Sequence, residues 1–192
     1  MKLKHSLLLT ASTLFIFLSA NSHAGREGVN AYYGLGLGAA APQSIDILGY
    51  FDLDFDPTAN MEIILGIEED GWALEAIASR SIDAGTNLSV LDYNLQTLDL
   101  GIGYRTIEKN NRYYKFKYSK TDVDIQLDAS GTTATAETEG NSLSFGMGFR
   151  MDREERMEVD ITYHDNDATK EPIYFVNLRY IWGGAPYHGT AF

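Results

Sequence analysis

The sequence has 192 residues, 15 Lys and Arg against 27 Asp and Glu for a formal net charge of −12, and no cysteine. So acidic a balance excludes nucleic acid as a partner, since affinity for a phosphate backbone rests on Lys and Arg. Without cysteine there are no disulfides, no thiol chemistry and no cysteine-based metal site, so stability rests on hydrogen bonding and packing.

The first element in chain order is a leader. Lys2, Lys4 and His5 precede an apolar run from Leu7 to Leu18, followed by Ser19-Ala20-Asn21-Ser22-His23-Ala24. This is the layout of a secretory signal peptide, with the small residues Ser22 and Ala24 at the two positions read by signal peptidase, and it places cleavage after Ala24. A retained helical anchor would need about 20 apolar residues, more than this run supplies. Removing residues 1–24 takes away Lys2 and Lys4 and no acid, leaving 13 basic against 27 acidic residues in a chain starting at Gly25. Residues 25–192 are of one-domain length.

Beyond residue 24 no apolar stretch approaches the length of a spanning helix. Instead, period-2 alternation recurs in eight segments: Ala31 to Ala40, Asn60 to Ile67, Trp72 to Ser81, Leu95 to Thr106, Tyr113 to roughly Gln126, Ser142 to Met151, Met157 to His164 and Pro172 to Trp182. Three connections are short and charged: Glu68-Glu69-Asp70-Gly71, Ile107 to Arg112 and Asp152 to Arg156. The others, 41–59, 82–94, 127–141 and 165–171, are mostly longer. Outer-membrane barrels show this asymmetry, with the short turns in the periplasm. Within the first long connection Ser44 to Phe55 alternates too, which predicts either an extension of the first two strands or a separate hairpin. The small, polar stretch Ala129 to Asn141 reads as a mobile loop tip.

Successive strand residues point to opposite faces, so each segment divides into two sets. One set is apolar: Tyr33, Leu35 and Leu37 in the first segment, Leu98, Leu100, Ile102 and Tyr104 in the fourth, Leu143, Phe145, Met147 and Phe149 in the sixth. The opposite set is small or charged, with Gly34, Gly36 and Gly38 followed along the chain by Glu62, Glu75, Asp99, Arg105, Lys115, Lys117, Arg150, Glu158, Asp160 and Arg179. A soluble exported sandwich would bury the first set. About thirty large side chains do not fit inside one small closed barrel, however, and three successive inward glycines would leave such a core hollow. Aromatic residues gather at strand ends, at Tyr33, Trp72, Tyr104, Tyr114, Tyr163, Tyr180 and Trp182, where an interfacial girdle belongs. The apolar face therefore meets lipid.

The ten inward charges are five of each sign. Charges in a narrow lumen must be paired, because an isolated one costs several kcal/mol. They form either a polar plug of ion pairs or the lining of a narrow ion pathway. For catalysis the one feature is His164 followed by Asp165, a base and an orienting acid for a serine nucleophile; no Ser is placed beside them by sequence and no G-x-S-x-G element exists. His164 and His188 are the mature histidines and form no metal-binding pair. Asp52, Asp54 and Asp56 lack the Gly and distal Glu of an EF-hand loop and read as a solvated strand edge. No catalytic, cofactor or metal residues are assigned.

The segments Tyr32-Tyr33-Gly34-Leu35-Gly36-Leu37-Gly38, Leu98 to Arg105, Ser142 to Arg150 and Asn177-Leu178-Arg179-Tyr180 resemble the OmpA-like, porin-family eight-stranded barrels, which include the OmpX/Ail and opacity-protein types. The resemblance covers the whole mature chain. It implies an all-β, eight-stranded antiparallel up-and-down transmembrane β-barrel after the signal peptide, located in the outer membrane. It implies a structural, adhesive or surface-antigen role or a narrow pore, and carries over no catalytic residues. A hydrolase acting on lipid is a further alternative.

The expected partners are outer-membrane lipid, the barrel-assembly machinery through the last strand, and an extracellular ligand of the loops; a monomer is expected. Barrels of these families usually end on an aromatic residue closing the last strand. Here Gly183 to Phe192 follows Trp182, so the assembly signal is either Tyr180 with Trp182 or Phe192, and Pro186 favours the former because proline cannot donate to the ladder. No appended periplasmic domain is expected.

Overall fold

The computed structural model describes residues 28–47, 51–129, 132–166 and 172–184. The expected signal peptide and the tail from residue 185 lie outside them. Eight long strands make the fold: β1 (Asn30–Ala41), β2 (Thr58–Glu69), β3 (Trp72–Ser81), β4 (Asp92–Arg105), β5 (Arg112–Ala129), β6 (Thr132–Arg150), β7 (Glu155–Asn166) and β8 (Ile173–Gly183). Each pairs antiparallel with its neighbours in sequence, and β8 returns to β1 with Tyr32 opposite Gly183 and Ala41 opposite Tyr174. The sheet is therefore a closed up-and-down barrel. Closure leaves no open edge within its wall, as hydrocarbon requires.

Local chemistry sets the short turns. Asp70 and Gly71 have φ of 48° and 83°, and Asn110 and Asn111 have φ of 53° and 62°. Positive φ at both central residues is the type I′ hairpin, whose twist matches the strands it joins, and Asp, Asn and Gly tolerate that conformation best. In the third turn the Arg153 N–H donates to the Asp152 carboxylate at 2.6 Å.

Of two loop expectations, the first falls to one of its alternatives and the second is corrected. Within the first long connection, Ile45–Ile47 pairs with Phe51–Leu53 as a separate small hairpin. The stretch Ala129 to Asn141, expected as a mobile loop tip, is strand at Ala129 and from Thr132 on: β5 and β6 stay paired from Asp122 opposite Glu139 to Ala129 opposite Thr132. Their ribbon projects beyond the other strands. It holds its shape because Val123 and Ile125 on its inner side are buried in an apolar cluster.

That cluster fills the long-loop end of the barrel. Ala40, Tyr93, Leu95, Val123, Ile125, Ile173 and Phe175 point inward from the strands, and the first connection lays Leu53 and Phe55 across them. Backbone bonds tie that connection down: the Asp56 N–H donates to the Gly85 carbonyl at 3.1 Å and the Asn87 N–H to the Asp54 carbonyl at 3.0 Å. The Phe55 ring meets Tyr93 edge-on at 4.7 Å, and the Tyr93 hydroxyl donates to the Asp56 carbonyl. Below this cap the arrangement reverses: Leu35, Ile63, Leu100, Phe116, Phe145 and Ile161 are exposed on the outside, and polar side chains are buried within.

Candidate functional site in the barrel lumen

All ten charged residues singled out in the alternation point into the barrel and are buried, the least so being Arg150 at 7% exposure. They fall into linked groups, beginning at the short-turn end. Arg150 grips Glu108 with Nε and Nη2, both at 2.8 Å, and Arg105 reaches the same carboxylate at 3.1 Å. The other arm of Arg105 meets Glu68 at 3.0 Å, and Arg156 clasps Glu68 in a two-pronged contact at 3.0 Å per prong. Planar guanidinium forks suit such bidentate pairing.

One level deeper, Lys115 sits between Glu75 and Glu158, the latter at 3.0 Å, and Arg156 Nε lies 3.3 Å from Glu158. The Tyr32 hydroxyl donates to Glu75 at 2.7 Å and the Tyr113 hydroxyl to Glu158 at 2.6 Å. Both rings also carry a guanidinium on their faces, Arg156 over Tyr32 at 4.6 Å and Arg105 over Tyr113 at 4.9 Å. In a separate triad Arg179 bridges Glu62, at 2.7 Å, and Asp160, while Asn177 donates to Glu62 at 2.8 Å. Towards the cap Asp99 accepts from Thr121 and from Ser142, the second at 3.1 Å. Among the described residues Lys117 is brought into none of these pairs, although it is buried at the same depth.

Glycines make the room. A Cβ on Gly36 would lie 2.7 Å from the Glu62 carboxylate and 3.2 Å from the Arg179 stem, so that pair occupies the space a side chain would take. Gly66 and Gly148 lie opposite Tyr32 and Tyr113, and a Cβ on either would overlap the tyrosine ring.

Several members escape the sequence reading. Glu68 and Arg156 fall in segments read as turns, yet they share the inward parity of Glu62 and Glu158, so extending the alternation would have found them. Tyr32 and Tyr113 also have inward parity, but an aromatic residue there is not what a polar lumen suggests. Glu108 sits outside any strand and has no such signal. His164, the base considered for catalysis, is buried at 2% exposure, with its ring 4.7 Å from Phe175. Asp165 lies on the other, exposed face. The acid near His164 is Asp99, at 3.8 Å from Nδ1, and the nearby Ser142 donates to Asp99. Among the described residues no serine hydroxyl is hydrogen-bonded to the imidazole, and the cap lies over this level.

Outside, the strand-end aromatic residues meet in pairs. Tyr33 stacks on Trp182 at 5.5 Å, Tyr180 meets Trp182 at 4.5 Å, and Trp72 meets Tyr104 at 5.1 Å. These and Tyr114 lie towards the short-turn end, whereas Tyr163, 5.7 Å from Tyr174, lies towards the other. Among the described residues no group of three or more His, Asp or Glu side chains could hold a metal ion.

The model of the outer membrane protein beta-barrel domain family matches residues 10–185. No curated protein sequence matches significantly. Among solved structures the chain is similar to Neisserial surface protein A, at 10% identity and a TM-score of 0.65, covering 81% of this chain and 99% of that one. It is similar to OprG of Pseudomonas aeruginosa at 12% identity and 0.62, covering 82% and 98%. It is similar to Ail of Yersinia pestis, solved with the heparin analogue sucrose octasulfate, at 9% identity and 0.55, covering 82% and 100%. At such identities the likeness speaks for the fold.

Proposed function

This chain belongs to the outer membrane protein beta-barrel domain family and lies in the outer membrane, and from that premise we propose a non-enzymatic envelope protein whose lumen is a plug and whose projecting loops make surface contacts. The observation that carries the plug is its continuity. Ion pairs run unbroken from Arg150 through Glu108, Arg105, Glu68, Arg156, Glu158 and Lys115 to Glu75, and the mouth beyond is filled by Leu53, Phe55 and their apolar neighbours. An ion entering from either side would have to break buried pairs or cross a dry layer. An eight-stranded lumen is just wide enough for side chains to fill. Planar-bilayer recording tests this: folded protein should give a flat trace, and discrete conductance steps would make it a narrow pore instead.

Surface contact is the active property in this reading. The projecting ribbon carries Asp122, Asp124, Asp128, Glu137 and Glu139. These acids repel a polyanion such as the sulfated sugar seen on Ail, so the proposed partner is cationic or neutral. Refolded protein should bind immobilised polylysine and lose that binding when the five acids are changed to Asn and Gln. Retention on heparin instead would reverse the charge assignment. The chain acts as a monomer and is delivered by the assembly machinery through Tyr180 and Trp182 of β8. Lipid A should emerge unchanged from incubation with it.

A further inference from the structure

The turn between β4 and β5 differs from the other two short turns in where its charges go. Glu108 folds inward to Arg105 and Arg150, with 3% of its side chain exposed, so the only acid of the turn is spent inside the lumen. Lys109 and Arg112 stay outside and exposed. The neighbouring turns present Glu69 and Asp70, and Asp152, Glu154 and Glu155, to the same side of the membrane. Around a rim that otherwise repels anions, this sector attracts them.

A cleft of about 430 Å³ opens there, walled by Thr106, Ile107, Lys109, Arg112, Tyr114 and Met147. Its two sides have different chemistry. Tyr114 and Met147 belong to the outward faces of β5 and β6, and Tyr114 stacks on Phe145 at 6.0 Å, so this wall continues into the lipid-facing band. Lys109 and Arg112 form the lip beyond it. The lip is rigid: Lys109 and Arg112 exchange backbone bonds at 2.9 and 3.1 Å across the Asn110-Asn111 turn. The Thr106 hydroxyl accepts from the Tyr114 N–H at 2.9 Å, and the Asn111 carbonyl accepts from the Arg150 N–H at 2.8 Å. The two cations are thus mounted on the barrel wall rather than on a loose loop.

An apolar wall that merges with hydrocarbon and a cationic lip at headgroup level are the two surfaces a phospholipid presents in complement. The short turns face the periplasmic leaflet, which is built of glycerophospholipids. We propose that this cleft binds an anionic glycerophospholipid, its phosphate held by Lys109 and Arg112 and its acyl chain lying along Tyr114 and Met147. Arginine offers a phosphate a two-pronged fork, and basic clusters beside membrane spans recognise acidic headgroups. Each cation near a lipid surface adds about 5-fold in affinity, so the pair adds about 30-fold.

Native mass spectrometry of the full chain, released from mild detergent after loading with equal phosphatidylglycerol and phosphatidylcholine, tests this. Phosphatidylglycerol should be retained preferentially, and Lys109→Gln with Arg112→Gln should abolish the preference. Arg153→Gln, on an acidic turn, should leave it unchanged. All variants should show the heat-dependent gel shift of the folded barrel. Equal retention of the two lipids, an equal loss in Arg153→Gln, or release of the lipid by excess inorganic phosphate alone would overturn the proposal.

Discussion

Arg179 shows what a single buried cation does here. It satisfies Glu62 and Asp160 at once, and none of the three reaches solvent. Arg179→Met leaves two carboxylates buried side by side, and removing one partner of a buried pair costs about 3–5 kcal/mol. Urea unfolding from lipid vesicles should show a loss of that size. The triple change Glu62→Gln, Asp160→Asn and Arg179→Met should recover much of it, because no charge is then left without a partner. Gly148 offers a steric counterpart: Gly148→Ala drives a methyl into the Tyr113 ring and should cost about 1–3 kcal/mol. Combining it with Tyr113→Ala should cost less than the two single changes together, since the overlap has gone. The charged residues of this network were legible where they fell inside the alternating segments, whereas Glu68 and Arg156, at strand ends read as turns, were not. Glu108 was hidden because a residue beyond the strand end takes its direction from the turn, and the tyrosines because their burial depends on a glycine on the neighbouring strand.

Strand β5 obeys two opposite rules along its length. From Tyr114 to Tyr118 the outward residues are apolar and the inward ones are Lys115 and Lys117; from Val123 the inward residues are apolar and the outward ones are Asp122, Asp124 and Gln126. Solvent explains the change. Where hydrocarbon surrounds the wall the apolar side faces out, and where water surrounds it the apolar side turns in, as in any soluble sheet. Phe116→Arg should therefore cost about 2–4 kcal/mol in refolding into bilayers, whereas Gln126→Arg on the same strand should be neutral within about 0.5 kcal/mol. The eight strands themselves were legible because alternation within the lipid band is uninterrupted. The outer half of β6 was not, although β5 was read to about Gln126: Thr132 to Glu139 carries only Thr, Ala and Glu and no large apolar residue, so its pairing rests on Val123 and Ile125 of the partner strand. Leu53 and Phe55 were equally obscure, since a loop residue becomes core only when the chain folds back over the mouth.

At the scale of the molecule, the proposed plug has two parts in series. The ion-pair ladder and the apolar cap occupy the same lumen at different heights, so removing one leaves the other in place. Leu53→Ala with Phe55→Ala should weaken the cap yet leave the planar-bilayer trace flat. Opening should require the ladder to be broken as well, for example by adding Arg156→Ala, and conductance from the double variant alone would show that the ladder does not seal. The switch of faces along β5 carries one more consequence, for how deep the molecule floats. A slip of two residues moves a tilted strand about 5 Å along the bilayer normal. Downward it drags Lys120 into the acyl chains with Asp122 behind it, and upward it strips Tyr118 of them, so both directions are uphill and the barrel has a set draught. A bilayer thicker or thinner than that draught must itself deform around the protein, and the chain will settle where the membrane already has the matching thickness.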